Sequence, residues 1–161
     1  MSKITPCLWF DDQAEEAAAF YTSIFPDSRI VGVHSSPGDT PSGPAGSVIT
    51  VDFELAGQPY IALNGGPEFT FNEAISLSID CEDQAEVDRY WEALTSNGGE
   101  PSVCGWLKDR FGVSWQVVPK ILPELLNSSD RAAAARALQA MLGMTKLEVK
   151  QLREAYEGVP A

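Results

Sequence analysis

One histidine, His34, serves the whole 161-residue chain. A metal site that needs two imidazoles from one chain is therefore excluded. Cysteine is scarce too. Cys7, Cys81 and Cys104 lie far apart and form no CxxC pair, which excludes a zinc ribbon and a dithiol redox motif. Such sparse thiols fit a reduced, cytoplasmic setting. Basic residues are few, 11 Lys and Arg against 23 Asp and Glu, for a net charge of -12. Nucleic-acid backbones and anionic membranes recruit basic patches, so neither is an expected partner. No apolar run reaches the length of a membrane span, and no basic-apolar leader is expected at the start. No GxGxxG-like run occurs, which argues against a nucleotide-type cofactor cradle.

What is there is ordinary in amount and patterned in order. An apolar share of 44% suits a globular chain, one domain or two small halves sharing a core. Residues 4–10 predict a strand. Asp12 is placed to cap a helix over 14–25, with Glu15 closing a capping box, and Pro26-Asp27 ends it. Residues 29–34 predict a strand, and 35–46, rich in Pro, Gly and Ser, a mobile polar loop. Residues 47–55 alternate, with Ile49, Val51, Phe53 and Leu55 on one face and Val48, Thr50, Asp52 and Glu54 on the other. A turn at Ala56-Gly57-Gln58 leads into a strand at 59–64, which Gly65-Gly66-Pro67 breaks.

The pattern then starts again. Residues 75–81 predict a strand, and Asp83-Gln84-Ala85-Glu86 repeats Asp12-Gln13-Ala14-Glu15 exactly 71 positions later. Phe20 maps onto Trp91, both aromatic, on the following helix. Gly98-Gly99 ends that helix, and 100–104, 105–108 and 113–118 supply three more strands. The identical place of the tetrapeptide in a strand, cap and helix unit predicts an internal duplication, βαβββ twice. The same offset pairs Leu8 with Ile79 and Phe10 with Cys81 on an apolar face for the helices. It pairs Thr5 with Ser76, Cys7 with Ser78 and Trp9 with Asp80 on a mixed face, which is solvent-exposed or lines a cavity. Trp9 there favours the cavity, since indole is costly to leave in water.

The stretch from Cys104 to Pro119 holds the densest chemistry. Phe111-Gly112 predicts a tight turn after the cluster Lys108-Asp109-Arg110, and Pro119 stops the last strand. On that strand Ser114, Gln116 and Val118 share one face, and Val113, Trp115 and Val117 the other. Gln116 is a satisfied buried amide or a group aimed into a cavity. Trp106 and Trp115 read as core or cavity wall. Asp109 and Arg110 read as a surface ion pair, Asp52 and Glu54 as a solvated face, and Cys7 as an inert thiol. His34 could act as a general base if the neighbouring loop closed over it. After Pro119 the chain turns helical. Residues 121–126 form a short helix or turn, Ser129 caps a helix over 130–142, and a Thr145–Glu148 capping box starts one over 146–157 that Gly158 ends. This tail clasps the sheet or a second subunit.

The runs Ile4-Thr5-Pro6-Cys7-Leu8-Trp9-Phe10, Ala14-Glu15-Glu16-Ala17, Phe20-Tyr21 and Gly65-Gly66-Pro67 resemble the PhnB-like branch of the vicinal oxygen chelate superfamily. So do Phe71-Asn72-Glu73-Ala74-Ile75-Ser76-Leu77, Asp88-Arg89-Tyr90-Trp91, and Cys104-Gly105-Trp106 through Trp115-Gln116. The likeness covers nearly the whole chain, tail included. It implies an α+β fold of two tandem βαβββ modules, as in glyoxalases, bleomycin-resistance proteins and dihydroxybiphenyl dioxygenases, plus C-terminal helices. The expected boundaries are 1–64 for the first module, 65–73 for a linker, 74–119 for the second module and 120–161 for the helical extension. Members often carry the label 3-demethylubiquinone-9 3-methyltransferase.

Metal enzymes of that superfamily take one ligand from the first and one from the last strand of each half, usually His, Glu or Gln. The resemblance carries these positions to Thr5 and Ser76, to Ala62 or Asn64, and to Gln116. Only Gln116 is a usual ligand type, and a divalent ion would gain no carboxylate and no imidazole there. No metal and no cofactor are therefore expected. The expected cavity residues are Thr5, Cys7, Trp9, Asn64, Ser76, Ser78 and Gln116. The expected function is a homodimer that holds a small apolar or aromatic molecule between paired modules. A metal-dependent lyase or dioxygenase of the glyoxalase type is the alternative, with a methyltransferase or a purely structural or regulatory role behind it.

Overall fold

A computed structural model describes residues 2–161. They divide into two units, one ending at Phe71 and the other starting at Asn72. The first unit runs β1 (Cys7–Phe10), α1 (Ala14–Ile24), β2 (Arg29–Ser35), β3 (Val48–Leu55) and β4 (Gln58–Asn64). Its sheet has the order β1-β4-β3-β2, with β1 parallel to β4 and the other pairs antiparallel. The second unit runs β5 (Leu77–Cys81), α2 (Gln84–Thr95), β6 (Glu100–Pro101), β7 (Trp106–Lys108) and β8 (Ser114–Pro119). Its sheet order is β5-β8-β7-β6, again with one parallel pair, β5 and β8. The two βαβββ modules read from the sequence are both present. Three helices follow, α3 (Ile121–Leu126), α4 (Arg131–Leu142) and α5 (Val149–Glu157).

Periodicity explains which faces are buried. On α1, Ala14, Ala17, Ala18 and Tyr21 recur at helical spacing and are all fully covered. They lie over β3, whose Val51, Phe53 and Leu55 point inward, as the alternation requires. On α2, Val87, Tyr90 and Leu94 do the same above β5, β7 and β8. Leu8, Phe10 and Cys81 are buried on the helix side, as the offset of the repeat predicts.

The helix starts depart from the expected caps. Asp12 makes no cap; the residue before α1 is Gln13, without a side-chain bond to the helix. Asn64 does the work instead. Its Oδ1 accepts from the Ala14 N–H at 2.8 Å, and its Nδ2 donates to the Val48 carbonyl at 3.0 Å. The register explains this: Asn64 lies opposite Phe10, where the end of β4 meets the start of α1. Asp83 does cap α2, accepting from the Glu86 N–H at 3.0 Å, while Glu86 accepts from the Glu82 N–H at 2.8 Å. The Thr145–Glu148 box is not formed. Gln84 reaches across from α2, accepts from Val149 N–H at 2.7 Å and donates to the Leu147 carbonyl at 3.1 Å. Asp130, one residue past the expected Ser129, caps α4.

Two further expectations change. The stretch 36–47 is bonded to itself: Ser36 is buried, its N–H donates to the Ser47 carbonyl, and Thr40 pairs with Gly43. Asp109 does not lie at the surface. It is 3% exposed, and its carboxylate accepts from the N–H groups of Phe111 and Val113 and from Trp115 Nε1 at 2.9 Å. It thereby closes the β7–β8 turn and satisfies the buried indole of Trp115.

The tail clasps its own second module. Leu122, Leu125, Ala137, Met144, Leu147 and Leu152 form one buried cluster. Backbone N–H groups of Cys104 and Gly105 donate to the carbonyls of Met144 and Thr145, both at 2.8 Å. Gly105 has φ of 83°, and a Cβ there would lie 2.9 Å from Leu147 Cδ1 and 3.0 Å from the Val117 carbonyl oxygen. Only glycine fits that conformation and that approach. Leu138 and Leu142, by contrast, remain exposed on α4.

Replacing Asn64 with Ala removes a helix cap and the side-chain bond to the Val48 carbonyl. Urea unfolding should show a loss of about 1–2 kcal/mol, against less than about 0.5 kcal/mol for Asp12→Ala. The reverse ranking would refute the cap assignment. Leu147→Ala should cost about 2–5 kcal/mol, because its cavity opens where the tail meets Gly105.

Burial pushes the Cys81 thiol up to about 12, with the charges of Glu86 and Asp80 adding to it. The unfolded thiol ionises near its ordinary value of 9.0, whereas the folded one keeps its proton. Its contribution to stability is therefore complete below that pH and declines above it, by about 1.4 kcal/mol per pH unit. Cys81→Ala should show a shallower alkaline loss of stability than the parent; parallel curves would contradict this.

Candidate functional site

Strand register defines the face that each helix leaves open. In the first module, Cys7, Ile61, Asp52 and Gly32 stand in one row across β1, β4, β3 and β2. Trp9, Leu63, Thr50 and His34 stand in the next. In the second module the rows are Ser78, Gln116 and Trp106, then Ser114, Lys108 and Glu100. Of the expected site residues, Cys7 and Trp9 thus stand on the first open face, and Ser78 and Gln116 on the second, while Thr5 precedes β1 and lies outside the paired rows. Ser76 joins them through a hydrogen bond, its Oγ accepting from Gln116 Nε2 at 2.9 Å.

Asn64 does not belong to this face. Opposite Phe10, it lies on the helix side, 8% exposed, and its amide is spent on α1 and β3. The register also moves the last-strand position of the first module. Ser78 faces Gln116, and its repeat partner Cys7 faces Ile61. The counterpart of Gln116 is therefore Ile61, not Ala62 or Asn64, and an aliphatic side chain there holds no ion.

Trp9 is half-buried, and the chain after β4 covers it. Its Nε1 donates to the Gly66 carbonyl at 2.9 Å, and Phe69 meets its ring edge-on with centroids 5.0 Å apart. Gly65 lies against the indole so closely that a Cβ would fall 2.3 Å from the ring. This explains why glycine begins the break after β4. Cys7 is exposed, and partial burial raises its thiol above the usual range, so no activated thiolate is built here. Ser78 is exposed as well.

Sequence reading did not connect His34 to Asp52. His34 Nε2 lies 2.9 Å from Asp52 Oδ2 on the open face, with Arg29 paired to Glu54 at 3.0 Å on the same strands. The signal was present in the pairing of β2 with β3, but a bulge between Ile30 and Gly32 shifts the register and hides it. Both side chains are about half exposed, so the pair is a weak one. Among the described residues, no three His, Cys, Asp or Glu side chains gather as a metal centre would require. Among the described residues, no helix is long and apolar enough to cross a membrane.

Comparison with known proteins places this geometry. Residues 2–118 match the family described as 3-demethylubiquinone-9 3-methyltransferase. That match stops before the helical tail, so the expected likeness of the tail is not carried by it. No curated protein matches the chain. Among solved structures, a PhnB protein from Bacillus cereus is 36% identical with a TM-score of 0.66, covering 73% of this chain and 99% of that one. The protein PA1353 from Pseudomonas aeruginosa is 22% identical, TM-score 0.56, covering 74% and 98%. A mutant of the fosfomycin resistance protein FosX from Listeria monocytogenes, complexed with Mn(II) and a dihydroxypropylphosphonic acid, is 19% identical with TM-score 0.51, covering 71% and 90%. The last two share the fold alone. With two βαβββ modules and this family match, the chain belongs to the PhnB-like family of the vicinal oxygen chelate superfamily.

Proposed function

We propose that this protein binds a small apolar or aromatic molecule against the open faces of its modules, without a divalent metal, as a homodimer. The observation that carries this reading is the makeup of the four ligand positions of the fold. They hold Thr5 or Cys7, Ile61, Ser76 or Ser78, and Gln116. A hard divalent ion needs carboxylate or imidazole donors, and this set offers one amide, hydroxyls, a thiol with its proton held, and an aliphatic chain. The residues do not fit the metal of the superfamily's enzymes. The one amide is already bonded to Ser76. Trp9, Ile61, Leu63 and Trp106 instead give the faces an apolar character with a few fixed polar groups, which suits an organic guest.

A methyl-transfer reading, which the family's description suggests, finds no support in the strand–helix junctions. These read Asp11-Asp12-Gln13 and Glu82-Asp83, with no glycine to let a backbone cradle a nucleotide-like donor. Dimerisation is favoured by β2, an edge strand that exposes Ile30, Val31 and Val33. Such an edge is ready to pair or to be covered. The tail is a weaker argument than the sequence suggests, since Leu147 and Leu152 are spent inside their own module.

A thermal-shift screen with neutral aromatic compounds should find ligands that raise the unfolding midpoint. Gln116→Ala should weaken a hit by roughly tenfold while leaving the free protein folded. No hit across broad panels would sink the reading. Elemental analysis after dialysis should find less than about 0.1 ion per chain, since a functional site would fill; a stoichiometric metal would favour the lyase or dioxygenase alternative. Sedimentation should show twice the chain mass, and a single monomeric species would overturn the dimer.

A further inference from the structure

A pocket of about 190 Å³ opens on the second module, lined by Glu73, Glu100, Trp106, Lys108 and Ser114 among others. Ser114 is 2% exposed, and its hydroxyl has no hydrogen-bond partner among the described residues. An unpaired buried hydroxyl is a cost to the fold, so something must compensate for keeping it. Strand pairing sets Lys108 beside Ser114 and Glu100 beside Lys108. The Lys108 ammonium contacts the Glu73 carboxylate, and this bond, with the charge of Glu100 behind it, holds Lys108 above its usual range. Lys108 in turn holds Glu73 below the usual carboxylate range. The pair is largely in solvent and is easily opened.

The charges do not balance. Two carboxylates face one ammonium, in a protein whose net charge is -12. A carboxylate guest would meet a site already rich in carboxylate. A cation meets two counter-ions, an indole of the half-buried Trp106, and a hydroxyl oxygen able to accept a hydrogen bond. An aromatic wall beside acidic groups is the setting in which ammonium groups are held by both charge and ring quadrupole. The overall negative field raises the local concentration of any cation.

We propose that this pocket binds a small primary amine as its ammonium, with Glu73 and Glu100 as counter-ions, Trp106 as the aromatic wall and Ser114 Oγ as acceptor. Entry of the guest opens the Lys108–Glu73 pair and lets Glu73 exchange one ammonium for another. The proposal goes beyond the preceding reading and stands on other polar groups than Gln116 and Ser76.

Phenethylamine is the probe, titrated into the full-length protein by calorimetry at low salt, with 3-phenylpropionate as the anion of similar shape. Phenethylamine should bind saturably with Kd on the order of 1 mM or tighter, and 3-phenylpropionate should not. Glu73→Gln and Ser114→Ala should each weaken the amine by roughly fivefold to tenfold. Ser114→Ala should leave the unfolding midpoint of the free protein unchanged or raised, because it removes an unpaired group. A purely structural role for Ser114 predicts the opposite pair of results. Absence of saturable amine binding, equal binding of the acid, or amine affinity unchanged in both variants would each overturn the proposal. Glu73→Gln should not alter the binding of neutral aromatic hits, so failure here and failure of the preceding reading are separable.

Discussion

Each module has one helix for a sheet with two faces. That shortage is the constraint from which the rest of the molecule follows. A helix covers one side of four strands and can bury Val51, Phe53 and Leu55, or Cys81, Trp115 and Val117. The other side must then find a different solution. The rows Cys7-Ile61-Asp52 and Ser78-Gln116-Trp106 show it, mixing aliphatic, aromatic and polar groups with the carboxylate of Asp52. Such a composition is too apolar for a purely solvated surface and too polar for a dry core. The proposed binding of a guest rests on that composition.

Three polar groups, the buried Asn64 and Asp109 and the half-buried Gln84, hold the frame that presents these faces. Asn64 ties the end of β4 to the start of α1 and to β3, Gln84 ties α2 to α5, and Asp109 closes the β7–β8 turn onto Trp115. Each satisfies backbone or indole N–H groups that would otherwise be buried without partners. Asn64 and Gln84 also join parts of the chain far apart in sequence, whereas Asp109 closes a local turn. The second module depends on its tail in the same way, through backbone bonds to Cys104 and Gly105 and the packing of Leu147.

This distribution explains what was legible in the sequence. The duplication was, because Asp12-Gln13-Ala14-Glu15 and Asp83-Gln84-Ala85-Glu86 repeat within the same periodic context. So were the buried faces of β3 and the helices, since periods of 2 and 3.6 are local properties. The caps were not. Asp12 and Asp83 are identical residues in identical motifs, yet only Asp83 caps its helix, because only the first module brings an Asn64 to the helix start. Asp109 looked like a surface charge because its three partners become visible only once the turn is closed. The site residues divided along the same line. Alternation puts Cys7 and Trp9 on one face and gives Ser78 and Gln116 a shared one, whereas the place of Asn64 required the register of β1 against β4.

The open faces carry neutral, directional groups flanked by paired charges. Gln116 and Ser76 share a hydrogen bond, Trp9 is steadied by Gly66 and Phe69, and the paired charges sit toward β2 and β3 or toward β6 and β7. The guest we propose is one recognised by shape and a few hydrogen bonds rather than by coordination. The most direct check follows the side-chain amide of Gln116 and the indole of Trp9 by ¹H–¹⁵N NMR, adding Mn(II) and a neutral aromatic compound in separate titrations. The account predicts shifts of both side chains with the aromatic compound, and with Mn(II) only diffuse broadening over the acidic surface. Selective broadening at Gln116 by Mn(II), with no response to aromatic compounds, would contradict it.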